Sequence, residues 1–316
     1  MTLSTLAPGA AADAAAPAPR PRRRRARFAA TPYLFLLPGF VLFAVTVVYP
    51  ILQAVQMSLY DWRIIGSATS EFLGLENYAR ALGDEHFWLS FGNTVFYLAA
   101  TIPPQIIIGL LVALLLHARS PIRPLLRVLY YLPVVTSWVV VSLLFRFLFA
   151  DAGLINWALG TVGVTGGDTS WLADRWTGML AISALGVWKG IGWSMMIFLA
   201  ALQGVPQSLM EAATVDGAGP WQRFRAVTLP AIRSATAFVT IMLVIGAFNV
   251  FISVYLMTGG GPAGRTDVLL TYMYQLAFGD LEFGYGSAIA VILTLVVLML
   301  SLIQLRLFRE RDEVVR

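Results

Sequence analysis

Phe-Gly-Tyr-Gly-Ser-Ala-Ile-Ala-Val-Ile-Leu-Thr-Leu-Val-Val-Leu-Met-Leu-Ser-Leu-Ile-Gln-Leu, residues 283 to 305, contains no charged side chain. About 20 mostly apolar residues in a helix cross the hydrocarbon core of a bilayer, so this stretch reads as a membrane span. Five more segments pass the same test: Tyr33–Leu59, Phe87–Leu116, Val128–Ala150, Gly178–Leu202 and Ala235–Met257. Only two of them carry a charge, Arg146 in the third and Lys189 in the fourth. The expected fold class is an all-α membrane protein of six transmembrane helices.

The composition agrees. Of 316 residues, 58% are hydrophobic and 12% charged, against roughly a quarter charged in soluble domains. Mean hydropathy is +0.75. With no cysteine, disulfides, thiol nucleophiles and Cys-ligated zinc or iron–sulfur sites are excluded. The two histidines, His86 and His117, make a His-rich metal site a poor reading, so no metal is expected. The single lysine, Lys189, is followed by Gly190. A P-loop needs Gly-Lys-Ser/Thr, so this chain lacks a phosphate cradle of that kind.

Residues 1–30 are Ala/Pro-rich and end in a basic run from Arg20 to Arg27. They read as a disordered basic tail kept on the cytoplasmic side, with lipid headgroups as a compatible partner and nucleic acid excluded. Residues 31–316 form the membrane domain. Placing both tails and the loops 117–127 and 203–234 on one side gives 16 basic residues against 6 acidic ones. The other side has 4 against 11. Positive charge stays inside, so both termini and the 203–234 loop are expected in the cytoplasm. The external loops, roughly 60–86, 151–177 and 258–282, are long enough for short helices.

Charge inside lipid needs a partner or water. Arg146, near the outer end of its span, can snorkel. Lys189 lies midway along span four and either faces a translocation path, pairs with a carbonyl, or meets another subunit. No acidic residue lies in a span, which disfavours ion-coupled secondary transport. A possible substrate path is Lys189, Trp193, Asn249 and Tyr255, with Phe248 and Phe251 beside them, although aromatics at helical spacing also serve plain packing. Gly186-x-x-x-Gly190 permits close helix contact. Gly259-x-Gly261-x-x-Gly264 matches a dinucleotide fingerprint but follows a membrane span, the wrong context.

The densest local encoding is cytoplasmic: Gln203-Gly-Val-Pro-Gln-Ser-Leu-Met-Glu-Ala-Ala-Thr-Val-Asp-Gly-Ala-Gly-Pro-Trp-Gln-Arg-Phe-Arg-Ala-Val-Thr-Leu-Pro230. Two short helices are expected. Ser208 with Glu211 forms a capping box, Gly217 ends the first helix, Pro220 opens the second, and Pro230 closes the loop. Such a stiff protrusion suits docking.

Glu211-Ala212-Ala213, Gly217 and Val227-Thr228-Leu229-Pro230 resemble the EAA signature of ABC importer permeases. Val227 replaces the usual Ile, and Ser234 stands where a second proline is common. Gly74-Leu75-Glu76-Asn77-Tyr78, Asn93-Thr94, Trp188-Lys189-Gly190, Gly259-Gly260-Gly261-Pro262 and Tyr274-Gln275-Leu276-Ala277-Phe278 are similar to the maltose-type sugar permeases. The match spans roughly 33–307, with a family-like core at about 90–307. This resemblance implies a type I importer permease of a bacterial plasma (inner) membrane, passing it several times. It also implies a second permease subunit in a heterodimer, two ATP-binding subunits that hold ATP and Mg, and an extracytoplasmic solute-binding protein delivering sugar. It assigns ATPase coupling to Glu211, Ala212, Ala213, Asp216, Gly217, Leu229 and Pro230. This chain would need no cofactor and perform no covalent chemistry. The alternatives are a polyol or glycerol phosphate permease of the same class and a secondary transporter.

Overall fold

A computed structural model describes residues 30–62, 70–117, 121–163 and 169–313, the side chains of 30–33 and 309–313 excepted. The basic tail expected over residues 1–30 lies outside the described residues, apart from Ala30, where the first helix begins. Internal contacts divide the chain into residues 1–50 and 51–316.

The first unit contains the start of α1, which begins at Ala30 and whose apolar part is Leu34–Met57. Leu34, Phe35, Phe40 and Leu42 are exposed, as suits a helix hydrophobic on every side whose solvent is lipid.

The second unit carries the remaining elements. A two-stranded ribbon, β1 (Tyr60–Asp61) and β2 (Glu71–Phe72), pairs Tyr60 with Phe72 and Asp61 with Glu71. Then follow α2 (Glu76–Gly83), α3 (Glu85–His117), α4 (Arg123–Val135), α5 (Trp138–Leu148) and α6 (Leu154–Val162). After them come α7 (Arg175–Gln203), α8 (Gln207–Val215), α9 (Pro220–Ala231), α10 (Arg233–Phe248), α11 (Ile252–Met257), α12 (Leu269–Tyr274) and α13 (Phe283–Glu313).

Four helices among the described residues are long and apolar enough to cross a membrane, or six if each of two bent pairs counts as one span. The expected span Val128–Ala150 is therefore not one straight helix: α4 and α5 meet at 96°. Pro133 lies inside the last turns of α4, and Thr136 beyond it is extended, with ψ 150°. A proline removes a donor and a helical bond, so the break falls where helical bonding is already weakest. The second bend, 65° between α9 and α10, follows Pro230. Pro230 thus sits within a helical segment rather than closing a loop. Span five breaks again at Asn249–Phe251 and resumes as α11.

Helices α3 and α7 form the centre of this unit because small residues let their backbones approach. A Cβ built at Gly109 would lie 2.8 Å from Ser194 Cβ, one at Gly186 2.3 Å from Tyr97 Oη, and one at Gly190 1.9 Å from Gln105 Oε1. The Gly186-x-x-x-Gly190 pattern therefore serves packing within this subunit. Phe198, Met195, Ile182, Leu185 and Phe248 fill the buried layers around it.

Candidate functional site

Three regions hold the chemistry-bearing side chains: the α8–α9 hairpin, a cavity around Lys189, and a polar cluster where α3 begins.

Helix α8 buries none of its residues. It ends at Val215 in a Schellman turn: Gly217 N–H donates to Thr214 O at 3.1 Å and Ala218 N–H to Ala213 O at 2.9 Å. Gly217 takes φ +77° with nothing within 4 Å of a would-be Cβ. Glycine is needed here for its left-handed backbone, not for space. Pro220 opens α9 as expected, and Gly219 N–H donates to Gln222 Oε1 at 2.7 Å. Arg223 Nη1 donates to Thr214 Oγ1 at 2.9 Å, tying the two helices together. The capping box does not form. Pro206 occupies the N-cap without a side-chain bond, which puts Ser208 inside the first turn. Glu211 Oε1 instead accepts from Gln207 Nε2 at 2.8 Å. Glu211, Ala212, Asp216, Gly217, Leu229 and Pro230 are exposed and Ala213 is half-buried. Two apolar side chains stand out from the same hairpin, Val215 at 87% and Trp221 at 71% exposure.

Lys189 is 4% exposed. Its Nζ donates to Pro133 O at 2.7 Å and Thr136 O at 2.6 Å, and reaches Val134 O at 3.5 Å. These carbonyls lie at the C-terminal end of α4, where the helix leaves acceptors unpaired and its dipole favours a cation. The ammonium also lies 4.9 Å from the Trp138 ring centroid. Of the three readings open for Lys189, the carbonyl one describes its bonds. A cavity of about 220 Å³ opens beside it, lined by Tyr97, Thr101, Gln105, Trp138, Lys189 and Trp193 among others. Gly246 also lines it and faces open space.

The expected path residues divide. Lys189 and Trp193 share that cavity, whereas Tyr255 lines a different one. Asn249 lines neither and donates from Nδ2 to Ile245 O at 2.7 Å. Phe248 is core, at 2% exposure. The helix break at Asn249–Phe251 separates positions that an unbroken helix would align. Arg146 is exposed on α5.

At the start of α3 a polar cluster was invisible to motif reading. Tyr272 and Tyr285 hydroxyls both donate to Asp84 Oδ2, and His86 N–H donates to Asp84 Oδ1 at 2.8 Å. Burial pushes the Asp84 carboxyl up, but these donors outweigh it and hold its pKa below the usual value. Asp267 behaves oppositely: burial dominates and raises it despite bonds from His86 and Thr271. The signal for the cluster was Asp84 and His86 lying just ahead of an apolar run. Their partners come from residues roughly 180–200 positions away.

Residues 105–311 match the family described as "Binding-protein-dependent transport system inner membrane component". The chain is 36% identical over 285 residues to the probable ABC transporter permease protein YurN of Bacillus subtilis, covering 89% of this chain and 97% of that one. It is 35% identical over 284 residues to the lactose transport system permease protein LacF of Rhizobium radiobacter, covering 88% and 94%. The trehalose/maltose transport system permease protein MalF of Thermococcus litoralis is 33% identical over 291 residues, covering 91% and 96%. Among solved structures, a chain of a bacterial ABC transporter that imports alginate superposes with a TM-score of 0.76 at 22% identity, covering 89% of this chain and 95% of that one. A second structure of an alginate transporter, in complex with an alginate pentasaccharide-bound periplasmic protein, superposes with a TM-score of 0.75 at 22% identity, covering 87% and 92%.

Proposed function

The chain belongs to the family of binding-protein-dependent transport inner membrane components and is a sugar ABC importer permease, not an enzyme, and from that premise we propose the following assembly and mechanism. It pairs with a second permease in a bacterial inner membrane, with both termini cytoplasmic. Two ATP-binding subunits, which hold ATP and Mg, dock from below. An extracytoplasmic solute-binding protein delivers sugar from above; one similar transporter has been captured with such a partner.

One observation carries the mechanism. The α8–α9 hairpin is internally tied yet buries no residue of α8 and exposes Val215 and Trp221. A helix of nine residues is marginal alone, so a hairpin this closely encoded and this bare implies a surface that covers it. Glu211, Ala212, Ala213, Asp216 and Gly217 form the docking face. Leu229 and Pro230, at the head of the bend into α10, pass its displacement to span five. ATP-driven closure of the ATPase pair moves the hairpin, and the spans then expose their central cavity alternately to each side. In the substrate path, Trp193, Tyr97, Thr101 and Gln105 offer a ring face and neutral hydrogen-bonding groups to sugar hydroxyls. Lys189 holds the wall rather than the substrate, since its donors are already engaged. That favours a neutral sugar over glycerol phosphate, which would require a free cation. Asn249 and Tyr255 contribute to the path further along, towards the outer side.

The test is reversal of charge at Glu211 (Glu211→Lys) in the reconstituted assembly, with Gly217→Val beside it. Both should keep the membrane spans folded but lose sugar uptake: Glu211→Lys reverses a charge on the exposed face, and Gly217→Val strains the left-handed turn that ends α8. Wild-type uptake driven by ATP in both variants would refute the coupling role.

A further inference from the structure

A second cavity, of about 310 Å³, lies where the Gly259–Asp267 loop meets α3, α11 and α12. That size falls within the roughly 300–1,000 Å³ of small-molecule sites. We infer that this cavity, lined by His86, Tyr255, Asp267, Thr271, Tyr274 and Gln275, is an outer subsite for a neutral sugar ring. The inference rests on the importer reading, which puts this end of the chain on the side of the solute-binding protein. Substrate released there would rest on these residues before reaching the cavity beside Lys189.

The wall is rigid. Gly260, at φ +81°, leaves only 2.2 Å between a would-be Cβ and Asp267 Oδ1; Gly264, at φ +73°, leaves 2.3 Å to His86 Cε1. The glycines therefore let the loop backbone close directly over the His86–Asp267 pair. Asn93 Nδ2 fastens the loop by donating to Arg265 O at 2.8 Å and Asp267 O at 2.7 Å. A run that resembles a nucleotide fingerprint in sequence is thus the shell of a preformed pocket.

The lining suits a carbohydrate. Tyr255 stacks on Phe251 at 5.3 Å and meets Tyr274 edge-on at 5.6 Å, yet Tyr255 remains half exposed. Such rings present an apolar face to the C–H side of a sugar and a hydroxyl at the edge. Neither tyrosine hydroxyl has a hydrogen-bond partner among the described residues, and Gln275, whose Nε2 donates to Asp280 Oδ1 at 3.3 Å, keeps its amide oxygen and a second N–H for the cavity it lines. The Asp267 carboxylate already has partners. Asp267 Oδ2 lies 3.0 Å from His86 Nε2, and Oδ1 accepts from Thr271 Oγ1 at 3.0 Å. No lysine or arginine lines the cavity, so an anionic substrate finds no permanently charged cation there.

Because the chain has no cysteine, Ala263→Cys places a unique thiol on the exposed lining. Its backbone already has φ +50°, and the substitution keeps the Cβ. The assembled transporter carrying Ala263→Cys, in lipid nanodiscs without the solute-binding protein, is alkylated by a small membrane-impermeant maleimide. Lactose, maltose and arabinobiose are the probes, each at about 50 mM; for a site of about 10 mM affinity, occupancy slows the reaction about sixfold. Slowing of about threefold or more by at least one sugar is expected, with no effect of sorbitol or glycerol 3-phosphate. Adding Tyr255→Ala or the surface change Gln275→Ala should abolish that protection. Equal rates with and without every sugar, equal protection by glycerol 3-phosphate, or protection unchanged in both added variants would each overturn the site. ATP-driven uptake by the same variant in proteoliposomes, with loaded solute-binding protein outside and ATP inside, separates the two readings: transport without protection removes this subsite alone, and protection without ATP-driven transport keeps the site and removes the importer mechanism.

Discussion

Lys189→Met removes the ammonium that holds the broken third span while keeping a flexible side chain of similar length. Nζ makes two close bonds, to Pro133 O at 2.7 Å and Thr136 O at 2.6 Å. Hydrogen bonds involving a charged group are worth about 1.5–3 kcal/mol each, so about 3–6 kcal/mol is lost. Removing a cation from the membrane interior returns about 2.5–3.5 kcal/mol. At the centre of these ranges the net destabilisation is about 1.5 kcal/mol, concentrated at the 96° bend. At about 2–4 °C per kcal/mol for domains of 150–250 residues, the melting temperature should fall by several degrees. Thermal unfolding in nanodiscs reads the stability. Spin labels at Leu129→Cys and Val140→Cys, exposed positions on either side of the bend, read its geometry. The distance distribution should be narrow in the parent and broad in the Met variant, with Lys189→Arg intermediate because it keeps donors. A Met variant that melts with the parent and keeps a narrow distribution would refute the clamp.

Glycine substitutions should part according to what surrounds them. Gly192→Ala forces a Cβ to 2.1 Å from the backbone oxygen of Tyr130 and should cost about 1–3 kcal/mol by overpacking, read as lost thermal stability. Gly246→Ala meets open space within the Lys189 cavity; it should melt like the parent but raise the half-saturating sugar concentration for uptake. Gly217→Ala should lower stability by about 1–2 kcal/mol through its positive φ alone, without altering the spans' helical content by circular dichroism. The Asp84 carboxyl has a depressed pKa in the fold, so its contribution is present above the unfolded value near 3.9. That contribution is lost as pH falls through the lower folded value. A double variant Tyr272→Phe/Tyr285→Phe should flatten this acid limb between pH 5 and 2, and an unchanged limb would argue against the network.

The membrane-spanning segments were legible because apolar runs such as 283–305 are long and apolar enough to cross a bilayer on their own. The hairpin was legible for the same local reason: Gly217 and Pro220 act on their own backbone. Ser208 misled, because capping depends on which residue leaves the helix first and Pro206 does so. Lys189 announced that a partner was required, but its acceptors lie 53–56 residues away. Only the fold could supply them. Span three read as one continuous run, and the break after Pro133 with its 96° angle came only from the fold. Asn249 and Tyr255 seemed to follow one another along an unbroken span five, whereas the helix breaks at Asn249–Phe251, and Tyr255 lines a different cavity from Trp193. The Gly259–Gly264 run matched a dinucleotide fingerprint only as a string, and its context already spoke against that ligand; the packing of Gly260 and Gly264 against Asp267 and His86 came from the fold.

The central claim is that this chain gates sugar movement and draws its energy from a separate ATPase through the α8–α9 hairpin. Uptake of radiolabelled sugar into proteoliposomes, with and without the ATP-binding subunits, tests it most directly. With both permeases, the ATPase pair, ATP inside and loaded binding protein outside, sugar should accumulate, and omitting the ATPase should abolish accumulation. Concentrative uptake by the permeases alone would contradict the account.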